Sequence, residues 1–313
     1  MPNTQFLSGI LLMAYGSPDS LNDIEPYLRN VWGGRPVPPA LVEKAKERYA
    51  RIGGRSPLLD ITRQQAAALE AYLNQDNGPR FRTYVGMRHW RPRIGEAVRQ
   101  MANDGIQRAV ALVMTPHYSR LSSGAYFQQL DKAIRDLGAD IHFTYIESWH
   151  KHPSLIAALA EKAMAALERF TTEESTPSPK VLFTAHSLPA RILDQGDPYD
   201  AQVRETATLL AKRMGLPQGR WLLCYQSAVH SRETWLGPQI EEVIVELAEA
   251  GERQLLVVPI GFVSDHVEVL YDIDITCREL AETHGVQLAR SESLNTCPAF
   301  IAALADLVSR NVE

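Results

Sequence analysis

Cysteine is scarce: Cys224, Cys277 and Cys297 are the only three in 313 residues, and no two stand at CxxC spacing. That number cannot build a disulfide framework or supply four thiolates to a zinc or iron–sulfur cluster. No cluster is expected, and a reducing cytoplasm is the simplest compartment. Long apolar runs are also missing. None approaches the ~20 residues that cross a bilayer as a helix, so no integral membrane segment is expected. The N-terminal MPNTQFLSG has neither the basic stretch nor the apolar core of a secretory signal. Charge of one sign is not in excess: 32 basic against 37 acidic residues leave −5. Such a balance advertises no partnership with nucleic acid or an anionic membrane. No GxGxxG follows the first apolar run and no GxxxxGK[ST] occurs, so a nucleotide cofactor is not expected. HExxH and GxSxG are absent as well, which removes support for peptidase and α/β-hydrolase chemistry.

What the chain does contain is repetition. Residues 147–160 read ESWHKHPSLIAALA and residues 292–305 read ESLNTCPAFIAALA. Upstream, Ile94, Glu96 and Gly105 match Ile240, Glu242 and Gly251, and ILLMAYGSP (10–18) aligns with VLFTAHSLP (181–189). A period near half the chain indicates two similar lobes rather than a solenoid of short repeats. Apolar runs near 9–14, 81–87, 108–114, 141–146, 180–184, 221–226, 254–260 and 286–289 alternate with amphipathic stretches. These include one long expected helix over 266–283. Runs rich in Val, Leu and Ile, separated by helices, predict parallel sheets covered on both faces. The expected fold is therefore α/β: two Rossmann-like lobes, each with a roughly four-stranded parallel sheet, facing across a cleft. The first lobe is expected over 1–150 and the second over 151–313, with the C-terminal helix able to pack back on the first. The low-complexity TTEESTPSP (171–179) marks the passage between repeats.

In open parallel sheets, ligands bind beyond the carboxyl ends of the strands. In the first repeat those ends offer Tyr15, Ser17, Arg88, His89, His117 and Tyr118; in the second, His186, Gln226, Ser227, Ser264, Asp265, His266 and Glu268. Tyr15 and His186 are equivalent in the repeat. An imidazole at a strand end can act as a base or a metal ligand near neutral pH; a packing histidine looks the same in sequence. If a helix begins near 266, Glu268 and Asp272 share a face, and carboxylates beside an imidazole suit passage of Fe²⁺ or Zn²⁺. Asp265 could equally be a helix cap. Arginines 29, 35, 48, 51, 55 and 88 cluster in the first repeat. Their forks suit an acidic ligand, as does a hydroxyl set of Ser122, Ser123 and Tyr126, although scattered surface positions fit the same spacing.

Over essentially its whole length the chain resembles ferrochelatases. The resemblance rests on LLMAYGSP (11–18), RYARIGGRSPL (48–58), HSLP (186–189), WLGP (235–238), GFVSDHVEVLYD (261–272) and PAFIAALA (298–305). Tyr15 makes it most similar to the coproporphyrin III ferrochelatases within that family. The resemblance implies insertion of Fe²⁺, as substrate, into a tetrapyrrole with loss of two pyrrole protons, without a permanently bound cofactor. It implies His186 and Glu268 as the catalytic and metal-binding pair, with Asp272 as a further step for the metal. Tyr15 would meet the iron, and Arg48, Tyr49, Ser56 and Tyr126 would contact propionates, joined by Ser122. Trp32 replaces a propionate-binding arginine found in some relatives, so Arg29 or Arg35 is expected to substitute. Thr276 replaces a Glu that often extends the acidic path. A monomer is expected, in transient contact with a downstream decarboxylase.

Overall fold

The structure, a computed structural model, describes residues 7–75, 80–170, 178–229 and 233–312. Residues 171–177 of the expected inter-repeat passage lie outside them. The chain divides into two units, one of residues 1–149 with 295–313 and one of residues 150–294.

In the first unit, strands β1 (Leu7–Ala14), β2 (Arg80–Met87), β3 (Arg108–Val113) and β4 (His142–Ile146) form a parallel sheet in the order β2-β1-β3-β4. Its helices are α1 (Ile24–Val31), α2 (Pro39–Arg51), α3 (Leu58–Leu73), α4 (Ile94–Asn103) and α5 (Ser123–Leu137). In the second unit α6 (Pro153–Leu167) precedes β5 (Lys180–His186), α7 (Tyr199–Met214), β6 (Trp221–Gln226), α8 (Ile240–Glu249) and β7 (Gln254–Pro259). A short α9 (Val267–Leu270), a π-helical turn (Asp272–Cys277), α10 (Arg278–Thr283) and β8 (Gln287–Arg290) complete it. This sheet is also parallel, in the equivalent order β6-β5-β7-β8.

Strand sequence follows strand position. The central β1 and β5 are almost continuously buried, while the edge strand β2 alternates between exposed and buried residues. A central parallel strand is covered on both faces and needs apolar side chains on each. Gly9 in β1 answers to close packing: a Cβ there would lie 2.7 Å from the Met101 side chain and 2.8 Å from that of Ile106. The repeat also extends to helix starts. Glu96 accepts the Arg93 backbone N–H at the head of α4, and Glu242 accepts that of Gln239 at the head of α8. Each carboxylate satisfies a donor the helix itself leaves unpaired.

The last helix, α11 (Pro298–Ser309), belongs to the first unit, where it packs against α3. The second unit therefore ends at Leu294 rather than at the expected 313, because the apolar face of α11 is buried on the first unit's helix. Its repeat counterpart α6 packs on α7, the counterpart of α3. Each unit thus receives the helix that follows the other unit's last strand.

The expected uninterrupted helix over 266–283 is broken into α9, the π-turn and α10. The Thr276 N–H reaches the Tyr271 carbonyl at 2.9 Å, five residues back. This wider turn keeps Ile273 and Cys277 in the second unit's apolar core while Asp272 and Asp274 pair with polar partners. Periodicity alone does not reveal one extra residue in a turn, and π-turns gather at functional sites.

Candidate active site

His186 is the last residue of β5, where the strand leaves the sheet. Its Nδ1–H donates to the Ser187 carbonyl, which directs Nε2 toward Glu268. The Nε2–Oε1 distance is 3.6 Å, with the His186 and Glu268 side chains 30% and 26% exposed. The Tyr199 hydroxyl, at the start of α7, donates to the His186 carbonyl at 2.8 Å. Ser187 is buried and donates to the Leu236 carbonyl at 2.7 Å. The ring's position is therefore set by backbone anchors on both sides of it.

Glu268 lies in α9 and is held through its main chain. Gln226, fully buried at the end of β6, donates to the Glu268 carbonyl at 2.9 Å and accepts from Thr184 at 2.9 Å. The adjacent Ser227 donates to Asp272 Oδ2 at 2.5 Å. Ser227 has φ of 60°, a conformation uncommon for a residue with a Cβ. Two consecutive residues at one strand end thus anchor Glu268 and Asp272. A third group joins them: His266 Nε2 stands 3.8 Å from Glu268 Oε2, with its Nδ1–H on the Ser264 carbonyl at 3.0 Å.

These contacts fix the charge state. Burial opposes the imidazolium of His186, but the Glu268 carboxylate outweighs it and raises the His186 pKa to about 9. Burial likewise opposes the Glu268 anion, yet the two imidazoles hold its pKa well below the usual carboxylate range. Near neutral pH the resting site is an imidazolium–carboxylate pair. A divalent cation approaching Glu268 would repel that proton, leaving a neutral imidazole as a ligand or base.

Among the described residues, no three His, Cys, Asp or Glu side chains form a cage for a metal ion. His186 and Glu268 stand as a pair, with Asp272 one helical step further along the chain. Asp272, the first residue of the π-turn, accepts from Ser227. Asp265 does not cap α9; it accepts from Ser293 at 2.7 Å and stands 3.4 Å from Arg290.

In the first unit, Tyr15 follows β1 and is 39% exposed, its ring 4.6 Å from that of His89. Burial, then Arg88 and Arg93, lower the His89 pKa to about 4, so this imidazole is neutral. The Arg88 guanidinium lies 5.2 Å from the centre of the buried Tyr126 ring. Arg48 and Tyr49 close α2, with Tyr49 buried and Arg48 half-buried. Ser56 is buried and accepts the Leu58 N–H at 3.3 Å, so it serves the start of α3. Ser122 is half-buried at the head of α5. Arg29 is exposed and pairs with Glu25 at 2.8 Å, while Arg35 donates to the Trp32 carbonyl at 3.0 Å. Either arginine would have to leave a local contact to bind an acidic ligand.

Sequence reading did not single out Tyr199 or Arg290. Tyr199 carries only the weak signal of a helix start after Asp197-Pro198. Arg290 ends β8, and the strand-end rule applied to that last strand would have found it.

The fold is that of the chelatases. A SirB structure from Bacillus subtilis with Fe³⁺ covers 98% of this chain and 96% of its own, at TM-score 0.59 and 14% identity. CbiX, described as the terminal enzyme for biosynthesis of siroheme in denitrifying bacteria, covers 97% and 100% at TM-score 0.54 and 14% identity. Sequence narrows the class. The Ferrochelatase family profile matches residues 7–312. A ferrochelatase of Deinococcus radiodurans is 42% identical over 96% of this chain and 95% of its own length. A coproporphyrin III ferrochelatase of a Geobacillus species is 40% identical over 97% and 98%. The chain belongs to the ferrochelatase family, enzymes that insert a metal ion into a porphyrin.

Proposed function

We propose that this ferrochelatase inserts Fe²⁺ into coproporphyrin III, with His186 and Glu268 handling metal and protons. The observation that carries the assignment of roles is the oriented His186–Glu268 pair, one group at the end of β5 and the other at the mouth of a π-turn. The coproporphyrin preference is supported by Tyr15 and by similarity to the Geobacillus enzyme. No helix among the described residues is long and apolar enough to cross a membrane.

A planar porphyrin offers its nitrogens poorly to an incoming ion, so contacts to the ring's carboxylates supply binding energy for buckling it. Arg48, Tyr126, Ser122 and Ser56 are the first-unit groups proposed for those contacts. As Fe²⁺ enters past Asp272 and Glu268, His186 gives up its proton and becomes able to accept one from a pyrrole. Glu268 and His266 are placed to pass protons onward. One Fe²⁺ replaces two N–H protons, so charge balances without a redox step.

The test is anaerobic: purified enzyme, Fe²⁺ and either coproporphyrin III or protoporphyrin IX, followed through the Soret and Q bands. Conversion of the four-propionate substrate alone is expected. Equal conversion of protoporphyrin IX overturns the substrate assignment, and binding without conversion would mark a tetrapyrrole carrier. His186→Ala should abolish insertion while porphyrin still shifts the Soret band; retained turnover removes His186 from the mechanism.

A further inference from the structure

Four carboxylates fall within ten residues around the π-turn: Asp265, Glu268, Asp272 and Asp274. They are not treated alike. Glu268 faces two imidazoles and Asp272 accepts a hydroxyl. The other two share one guanidinium. Arg290, with its side chain only 12% exposed, grips Asp274 with both prongs of its fork, Nε to Oδ1 and Nη2 to Oδ2, each at 2.8 Å. Its remaining nitrogen, Nη1, meets the Ser291 carbonyl at 2.9 Å, Ser293 Oγ at 3.4 Å and Asp265 Oδ1 at 3.4 Å. Ser293 in turn donates to Asp265 at 2.7 Å.

We infer that Arg290 is a positioning residue that withdraws Asp265 and Asp274 from the incoming cation, leaving Glu268 and Asp272 as its route. Two properties of the geometry support this. A forked pair at this burial is geometrically specific in a way that a lysine could not reproduce. It also spans the segment that carries Glu268 and Asp272, tying one acid before α9 and one inside the π-turn. Carboxylates that converge on one guanidinium could instead converge on one divalent ion if the guanidinium were gone. Such an ion would be held beside the route rather than delivered, since hard oxygen ligands bind divalent cations readily. Arg290 thus both braces the segment and removes a competing sink. The assignment rests on the metal-route reading of Glu268 and Asp272.

Mn²⁺ titration read by the free-ion EPR signal, together with steady-state Fe²⁺ insertion, tests it. Arg290→Gln should bind one more Mn²⁺ equivalent than wild type. Its KM for metal should rise at least fivefold, with KM for porphyrin unchanged within twofold. Adding Asp274→Asn to that variant should return the Mn²⁺ count to the wild-type value, an outcome that a purely structural role would not produce. Arg290→Lys, which keeps a cation but not the fork, should give an intermediate metal KM, and it carries the test should the glutamine variant not fold. An unchanged Mn²⁺ count, or equal increases in both KM values, overturns the assignment. Glu268→Gln separates the underlying reading: intact insertion by that variant overturns the route itself, whereas the Mn²⁺ count reports on Arg290 alone.

Discussion

Replacing Glu268 with glutamine keeps the shape of the side chain and removes its charge. The carboxylate is what raises the His186 pKa from 6.5 to about 9 against the cost of burial. A rise of that size corresponds to roughly 3 kcal/mol favouring the imidazolium. Without the carboxylate, burial is opposed only by the Ser187 hydrogen bond and the more distant Asp272 charge, and the His186 midpoint should fall well below 9. Because the folded value is raised, the pair's contribution is complete below pH 6.5 and is lost as pH climbs through about 9. Glu268 gives the mirror limit: its folded value lies below 4.5, so the same interaction weakens as pH falls well under that. The stability gap between wild type and Glu268→Gln should therefore be widest between about pH 4.5 and 6.5 and narrow on either side. Urea titrations across pH measure the gap, and histidine NMR measures the midpoint directly, with His186→Asn to assign the resonance. Insertion should slow by about 10²-fold or more, the usual scale for a lost proton-transfer group. A His186 midpoint that stays near 9 in the variant, or a gap independent of pH, would refute the reasoning.

Tyr199→Phe removes the hydroxyl that donates to the His186 carbonyl. It should cost about 1 kcal/mol of stability and lower kcat with little change in porphyrin KM; unchanged kcat would mean that β5 alone sets the ring. Gly261→Ala should destabilise by about 1–3 kcal/mol, since its Cβ would lie 2.9 Å from Ala185 Cβ and 3.0 Å from Ala185 Cα, directly before His186. Thermal unfolding checks this, and an unshifted midpoint would show that the two strand ends can part.

The strands were readable because burial on both faces leaves unbroken apolar runs, as at 10–14 and 255–259. The strand-end rule led to His186, Glu268 and Tyr15 without reference to any relative. The π-turn was not readable, because Glu268 and Asp272 also satisfy ordinary helical spacing and the extra residue shows only in the hydrogen bond from Thr276 to Tyr271. Arg290 lies at the end of β8, within reach of the strand-end rule, but its partners lie 16 and 25 positions back, so the fork itself shows only in the structure. Ser56 illustrates another limit of motifs: the match does not reveal that its hydroxyl also accepts the Leu58 N–H at the start of α3.

The crossing of α6 and α11 bears on how a chain like this could arise. A half-length protein carrying one repeat would make its terminal helix but have no use for it on its own sheet. It would bury that apolar face only by lending it to a second copy and receiving the same helix in return, a reciprocal exchange that closes as a dimer. Joining two such copies end to end turns the exchange into ordinary connectivity. From then on the halves could diverge, one keeping a tyrosine after its first strand and the other a histidine, without either losing its partner.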